Sequence, residues 1–270
     1  MKKSGLVILS EPDRLCYPYM ESINSFLPVV DELVVVLNVL KKEQFNETEL
    51  RSIDKVQIVY APFDLDDWGW ISYGIARTTG YLACRGDVIY MFDADGILHE
   101  KNQTELGFNT KRFIDGSFYF GYWLKYRIYK KNRYVDQSKH SGIYNKKLLG
   151  TNFNFYRGAG KKIKGVPNFS TIKEELTRAK QFSIKLFGYE HLWDTEEIIK
   201  EKTARYGRMI DKWDNNKIKT DEEYYREYRL NLKKTLDEKG KSLDISNHPK
   251  IIQPKLNNIN SSHFGYSFFE

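Results

Sequence analysis

Four short, predominantly apolar runs in the first hundred residues constrain this chain more than any other feature. They are Leu6-Val7-Ile8-Leu9, Leu33-Val34-Val35-Val36-Leu37, Val56 to Tyr60 and Val88-Ile89-Tyr90-Met91-Phe92. Each is short for a helix and ends at turn-forming residues, so each reads as a strand, the first of them buried on both faces. Helical patterns lie between them. Tyr17 to Phe26 sets Tyr17, Met20, Ile23 and Leu27 at three- and four-residue steps and closes at Pro28. Asn46-Glu47-Thr48-Glu49 opens or continues a polar helix reaching Ile53, and Pro62 ends the third strand. Trp70 to Cys84 carries Ile71, Ile75, Tyr81 and Leu82, then stops at Arg85-Gly86-Asp87 with a glycine past its end. Strand and helix in alternation predict an α/β fold, a Rossmann-like, mostly parallel sheet with helices on both faces.

After about residue 115 the character changes. Phe118-Tyr119-Phe120 and Phe182-Ser183-Ile184-Lys185-Leu186 read as strands, and Ile143 to Leu149 as a possible third. Thr195 to Trp213 is a helix with Asp194 as its predicted N-cap and Glu196 and Glu197 in its first turn. A second, highly charged helix runs from about Asp221 to Leu236, and a tail without clear periodicity begins at Asn247-His248-Pro249. No internal repeat is visible.

Several classes are disfavoured at once. The longest apolar stretch, Leu27 to Leu40, is broken by Asp31 and Glu32, so no transmembrane segment is predicted. Met1-Lys2-Lys3 begins like a signal peptide, but the apolar run after it is too short and ends at Ser10-Glu11-Pro12-Asp13, and a cytoplasmic protein is expected. Cys16 and Cys84 are the only cysteines, too few for a disulfide framework or a Cys-rich zinc site. Aromatic residues make up 15% of the chain, which suits base or sugar stacking and suits plain core packing too.

The candidate chemistry begins where the fourth strand ends, at Asp93-Ala94-Asp95-Gly96. Open α/β sheets bind ligands at the carboxyl ends of their strands. Two carboxylates flanking one small residue there can face a single hard cation, although the same tripeptide is common in turns.

The context of that tripeptide points further. Gly74-Ile75-Ala76-Arg77-Thr78-Thr79-Gly80 leads through Gly86-Asp87 and an apolar strand into Asp93-Ala94-Asp95, which resembles the nucleotide-sugar site of GT-A glycosyltransferases, in particular family-2-like enzymes. Tyr17 to Ile23 followed by Val30 to Val36 looks like their first helix and second strand. Phe187-Gly188-Tyr189-Glu190-His191-Leu192-Trp193-Asp194, with the Lys200, Lys202 and Tyr206 helix behind it, is similar to the late His-containing strand and helix of a subgroup, and Asn247 to Ile252 resembles that subgroup's ending. The likeness is good over residues 5–100 and thin over 110–180. There are departures: Asn38-Val39-Leu40-Lys41-Lys42 stands where an Asp-rich turn is usual, Asp93 where the subgroup often has Gln, and Gly96 where it often has Glu.

The resemblance implies a GT-A half that binds the nucleotide sugar over residues 1–115, a basic acceptor-side half of the same domain over 116–192, and C-terminal helices and tail over 193–270. It implies metal-dependent transfer of a hexose from a nucleoside-diphosphate sugar, UDP-sugar favoured, to an acceptor hydroxyl, with an inverting lean. Mn²⁺ or Mg²⁺ would be held by Asp95 and Asp93, with Asp93 also placed to meet the ribose or a metal-bound water, and by His191, for which a structural role is the alternative. Ser10, Glu11 and Arg77 are the positions expected to meet the nucleotide. Inversion needs a base, and Asp136 is a candidate with Glu190 as its rival. The Trp68-Gly69-Trp70 loop beside Asp64, Asp66 and Asp67 reads as a donor lid or as packing.

Residues 121–165 hold twelve Lys and Arg residues against one acid, Asp136, for a net +11 in a chain of net +7. Interleaved with Tyr126, Tyr129, Tyr134, Tyr144, Phe153, Phe155 and Tyr156, they read either as a solvated face or as a surface for an anionic acceptor. DNA carrying hydroxylated bases, an anionic glycan and a lipid-linked headgroup all fit that second reading. Two competing classes remain: a nucleotidyltransferase, although Ser10-Glu11-Pro12-Asp13-Arg14 lacks the usual Gly-rich loop, and a nucleic-acid-binding module without catalysis.

Overall fold

A computed structural model describes residues 1–37, 45–61, 70–151, 153, 155 and 179–267, the side chains of 70, 71, 136–141, 179, 213 and 267 excepted. The turn at 38–42, the Asp64 to Gly69 stretch and the second half of the basic segment, Arg157 to Lys164, lie outside the described residues.

Nine strands are described: β1 (Lys3–Leu9), β2 (Glu32–Leu37), β3 (Val56–Tyr60), β4 (Val88–Asp93), β5 (Gly96–Leu98), β6 (Phe120–Lys130), β7 (Arg133–Asn145), β8 (Ala179–Gly188) and β9 (Lys241–Ser242). They form one sheet in the order β3-β2-β1-β4-β7-β6-β8-β5, with β9 paired to β7. β3, β2, β1 and β4 are parallel to one another, as the four apolar runs predict. Beyond β4 the sheet is mixed, with β7 antiparallel to β4 and to β6, and β6 parallel to β8.

The five longer helices are α1 (Tyr19–Phe26), α2 (Trp70–Ala83), α3 (Glu100–Asp115), α4 (Glu196–Asp214) and α5 (Asp221–Lys239). Alternate residues of each buried strand face opposite sides, which divides the core in two. Val7, Leu9, Val35, Tyr90 and Phe92 pack with Ile23 and Phe26 of α1 and Leu106 and Phe113 of α3. Leu6, Val34, Val36, Ile89 and Met91 pack with Ala76 and Tyr81 of α2. The second contact is close enough to demand a glycine, since a Cβ on Gly80 would lie 2.3 Å from Leu6 Cδ1 and 2.6 Å from Val36 Cγ2. α4 and α5 pack over Tyr129 of β6 and Val135 of β7 through Ile199, Tyr225, Leu232 and Leu236.

The structure differs from the sequence expectation in specific places. α3 was not predicted because its buried stripe is thin, resting on Leu106, Thr110 and Phe113. The basic segment opens as a long hairpin, β6 and β7, rather than as one short strand at 118–120. The stretch expected to run as a strand from Ile143 leaves the sheet at Asn145, whose side chain accepts from the Leu148 amide and starts a helical turn. Thr195, not Asp194, caps α4, its side chain accepting from Ile198 N at 3.3 Å. Asp194 is instead buried in an ion pair described below.

Four cations of the basic segment are engaged within the fold. Lys125 and Arg127 face carboxylates, Arg133 donates to the Leu236 carbonyl oxygen at 2.8 Å, and Lys146 donates to carbonyls at the end of α2. The described aromatic residues interleaved with them, Tyr126, Tyr129, Tyr134, Tyr144, Phe153 and Phe155, are buried or half-buried. Tyr144, Phe153 and Phe155 stack edge-on with Tyr81 and Phe120, and Tyr126 lies between Tyr134 and Phe187. Core packing, one of the two readings of the aromatic excess, is what these rings do. Among the described residues no helix is long and apolar enough to cross a membrane.

Candidate active site

β1 and β4 are neighbours, with Ile8 paired to Asp93, so the residues that follow each strand emerge at one edge of the sheet. The turn after β4 is held from below. Ser22 of α1 donates its hydroxyl to the Gly96 carbonyl oxygen at 2.6 Å and lies 3.1 Å from that of Asp93. The Tyr189 amide donates to the Asp95 carbonyl oxygen at 3.0 Å, tying the same turn to the end of β8.

Three carboxylates and two cations converge above this turn. Lys125, on β6, is only 3% exposed, and its ammonium lies 2.8 Å from Asp93 Oδ2 and 3.5 Å from Asp95 Oδ1. Asp93 is 37% exposed at its side chain, whereas Asp95 is 5% exposed and its Oδ2 has no hydrogen-bond partner. Arg127, two residues along β6, faces Glu190 with Nη1 3.6 Å from Oε2, and its Nε is buried without a partner. Burial dominates at Asp95 and pushes its carboxyl from 3.8 up to about 6, with Glu190 and Asp93 adding repulsion that Lys125 only partly offsets. At Glu190 burial acts in the same direction but is outweighed by Lys125, Arg127 and His191, which hold it below its ordinary value. The cluster therefore pairs one carboxyl that is hard to ionise with one that is kept ionised.

Of the residues expected at the nucleotide, Ser10 and Glu11 follow β1 and Arg77 lies on α2. Glu11 sits at φ 47°, in the left-handed region, and binds Arg14 at 2.8 Å and Arg205 of α4 at 3.2 Å. These arginines overcome the effect of burial and keep Glu11 below the usual carboxylate range. Burial raises the Tyr73 phenol above its ordinary value against the opposing effects of its 2.9 Å hydrogen bond with Tyr206 and of Arg77 of α2 and Arg205. Ser10 is half-buried just past β1.

His191 belongs to a third network. It adopts φ 68°, and its Nδ1 lies 3.0 Å from Asp194 Oδ2 and 3.3 Å from Lys202 Nζ, while Lys202 also binds Asp194 at 3.0 Å. Nδ1 therefore faces both an acceptor, the Asp194 carboxylate, and a donor, the Lys202 ammonium. Lys202 continues over the Tyr17 ring, 4.3 Å from its centroid.

Among the described residues no group of three or more His, Cys, Asp or Glu side chains is gathered closely enough to hold a metal ion, so Asp93, Asp95 and His191 are not assembled as one ligand set. Asp93 and Asp95 by themselves fit a hard cation: both are oxygen donors on one turn, and the buried, unpartnered Asp95 Oδ2 is a vacant ligand atom. Asp136 lies on β7 opposite Tyr126, and its side chain falls outside the described residues. Sequence reasoning missed Lys125, Arg127, Tyr73 and Arg205 as site residues. The signal for the first two was present in Leu124-Lys125-Tyr126-Arg127-Ile128, where cations alternate with apolar residues at strand period.

No protein-family model matches the chain, and no curated protein matches it. Among solved structures it is similar to S. aureus TarS 1-349 in complex with UDP, at 13% identity over 96% of this chain and 79% of that one, with a TM-score of 0.44. It is similar to 4-diphosphocytidyl-2C-methyl-D-erythritol synthase from Anaerococcus prevotii, at 13% identity over 69% of this chain and 89% of that one, with a TM-score of 0.41. A third likeness is to glucosyl-3-phosphoglycerate synthase from Mycobacterium tuberculosis in complex with Mn²⁺, UDP and glucosyl-3-phosphoglycerate, at 17% identity over 46% and 44% of the two chains, with a TM-score of 0.31.

Proposed function

We propose that the chain is a glycosyltransferase that moves a hexose from a nucleoside-diphosphate sugar, a UDP-sugar by preference, to an acceptor hydroxyl with inversion. The observation that carries this reading is the cluster at the carboxyl end of β4, where Asp93 and Asp95 meet Lys125 and Glu190 is held ionised by Arg127 alongside. A carboxylate pair suits the donor's diphosphate side, and an ionised glutamate suits the acceptor side.

Asp93 and Asp95 would hold Mn²⁺ or Mg²⁺, which when bound supplies positive charge to the departing diphosphate. Ser10, Glu11 and Arg77, with Arg205 fixing Glu11, would orient the nucleotide. Glu190 would take the proton from the acceptor hydroxyl as its oxygen bonds the anomeric carbon and the bond to the diphosphate breaks. Of the two acids considered for that role, Glu190 is favoured because it pairs with Arg127 and its charge acts on Asp95 and Lys125, and Asp136 is the comparison.

The test is release of nucleoside diphosphate from UDP-, GDP- and TDP-sugars with Mn²⁺, Mg²⁺ or EDTA, with and without DNA containing 5-hydroxymethylpyrimidine. EDTA-sensitive release from one donor is expected, and Glu190→Gln should slow it by at least about 100-fold, the usual scale for loss of a general base, while Asp136→Asn should not. Absence of both donor binding and donor release would refute the transferase reading. An undiminished rate in Glu190→Gln would remove Glu190 from the role of base. Stimulation by the modified DNA would identify the acceptor class.

A further inference from the structure

The Asp93–Asp95 pair is already occupied by a positive charge of the protein's own. Lys125 reaches it from β6 with its ammonium 2.8 Å from Asp93 Oδ2 and 3.5 Å from Asp95 Oδ1, shielded from solvent. Space for this side chain exists because residue 188, at the end of the neighbouring β8, is glycine. A Cβ there would fall 2.5 Å from Lys125 Cε, 3.4 Å from its Nζ and 3.3 Å from Asp95 Oδ2. Lys125, Gly188 and the two carboxylates therefore form one fitted arrangement.

We propose that Lys125 is the resident counter-ion of Asp93 and Asp95 and competes with a divalent cation for them, so that the bare protein binds such a cation weakly. This rests on the reading of Asp93 and Asp95 as cation ligands given above. The unpartnered, buried Asp95 Oδ2 shows that Lys125 does not satisfy the pair fully. A hard divalent cation needs about six oxygen ligands and cannot share two carboxylates with an ammonium at close range without strong repulsion. Its entry requires Lys125 to withdraw or Asp93, the exposed partner, to swing outward. A diphosphate brought with the cation offers the displaced ammonium new oxygen acceptors, which ties cation binding to the arrival of the donor.

The experiment is a titration of the full chain with Mn²⁺ alone, without nucleotide, in which free Mn²⁺ is followed by electron paramagnetic resonance. Lys125→Gln removes the charge and keeps most of the stem, and its Mn²⁺ dissociation constant should fall at least tenfold below that of the unaltered protein. Lys125→Met, uncharged and of similar length, should shift it in the same direction and carries the test if Lys125→Gln does not fold. Asp95→Asn in the Lys125→Gln background should abolish the gain. Equal affinities within twofold, weaker binding in Lys125→Gln, or no binding by any variant would overturn the proposal. Because no sugar nucleotide is present, failure of the transferase reading would leave this result unchanged. Conversely, equal Mn²⁺ affinities alongside EDTA-sensitive donor release would reject only the role of Lys125.

Discussion

Replacing Asp95 by Asn should make the protein more stable while disabling the site. Asp95 is 5% exposed, its Oδ2 has no partner, and its carboxyl titrates near 6 rather than 3.8 because burial and two neighbouring carboxylates oppose its charge more than Lys125 favours it. A tenfold change in an equilibrium constant is about 1.4 kcal/mol, so the displacement from 3.8 to about 6 amounts to a penalty of up to about 3 kcal/mol on the ionised folded state. Asn has the same shape and no charge. With its oxygen toward Lys125, its amide nitrogen takes the position of the unpartnered Oδ2, and Asp93 still binds the ammonium at 2.8 Å. A gain of about 1–3 kcal/mol at pH 8 follows. The sign with pH is set by a folded-state value raised above the unfolded one. The penalty is complete above about 6, shrinks as pH falls through that value, and disappears below the unfolded value of 3.8, where both states are protonated. Urea denaturation of both proteins in EDTA at about pH 8 and about pH 4.5 measures it, and the gap at the lower pH should be roughly a third of that at the higher. A variant less stable than the parent by about 1 kcal/mol at pH 8, or a gap independent of pH, would refute the reasoning.

Two further outcomes are expected at positions that support the site. Glu32, 6% exposed at the start of β2, accepts from Ser4 Oγ at 2.6 Å, from Lys2 Nζ at 2.9 Å and from the Arg85 amide, contacts that outweigh burial and hold it at about 2. Glu32→Gln should cost about 1–3 kcal/mol at neutral pH by chemical denaturation, and because the folded value is the lower one, the parent's advantage should fade as pH drops from 4.5 toward 2. Ser22→Ala leaves the Gly96 carbonyl in the turn after β4 without its buried donor and should cost about 1–2 kcal/mol by the same assay; a loss below about 0.3 kcal/mol would show that the hydroxyl does not hold the turn.

How much of this was legible in the sequence differs along the chain. β1, β2 and β4 were readable because each carries a continuous apolar run buried on both faces, β3 because Val56 to Tyr60 stops short at Pro62, and Asp93 and Asp95 because acids interrupt an apolar run only at its end. The hairpin of β6 and β7 was hidden by composition. Its cations looked like a surface, yet Lys125 is buried because a glycine 63 residues later leaves it room, a long-range fit that no local pattern carries. Asp194 illustrates the same limit. It stands where an N-cap belongs, but Lys202, two turns into α4, and His191 claim its carboxylate, and Thr195 takes the cap. Glu190 could be named from its neighbours in sequence, but its ionised state depends on Lys125 and Arg127, which arrive from another strand.

The placement of Lys125 and Arg127 two residues apart on one strand also limits how this arm can change length. Both side chains reach the same cluster because they share a face of β6, and a single residue inserted or deleted between Trp123 and Lys125 would turn the two cations away together. The register already shifts once between Trp123 and Lys125, so the arm has used the irregularity that sets their phase. Viable length variants of this protein should therefore place odd-numbered gaps at the Lys131-Asn132 tip, where the two strands reverse, and tolerate only a compensated pair of changes between the tip and the sheet.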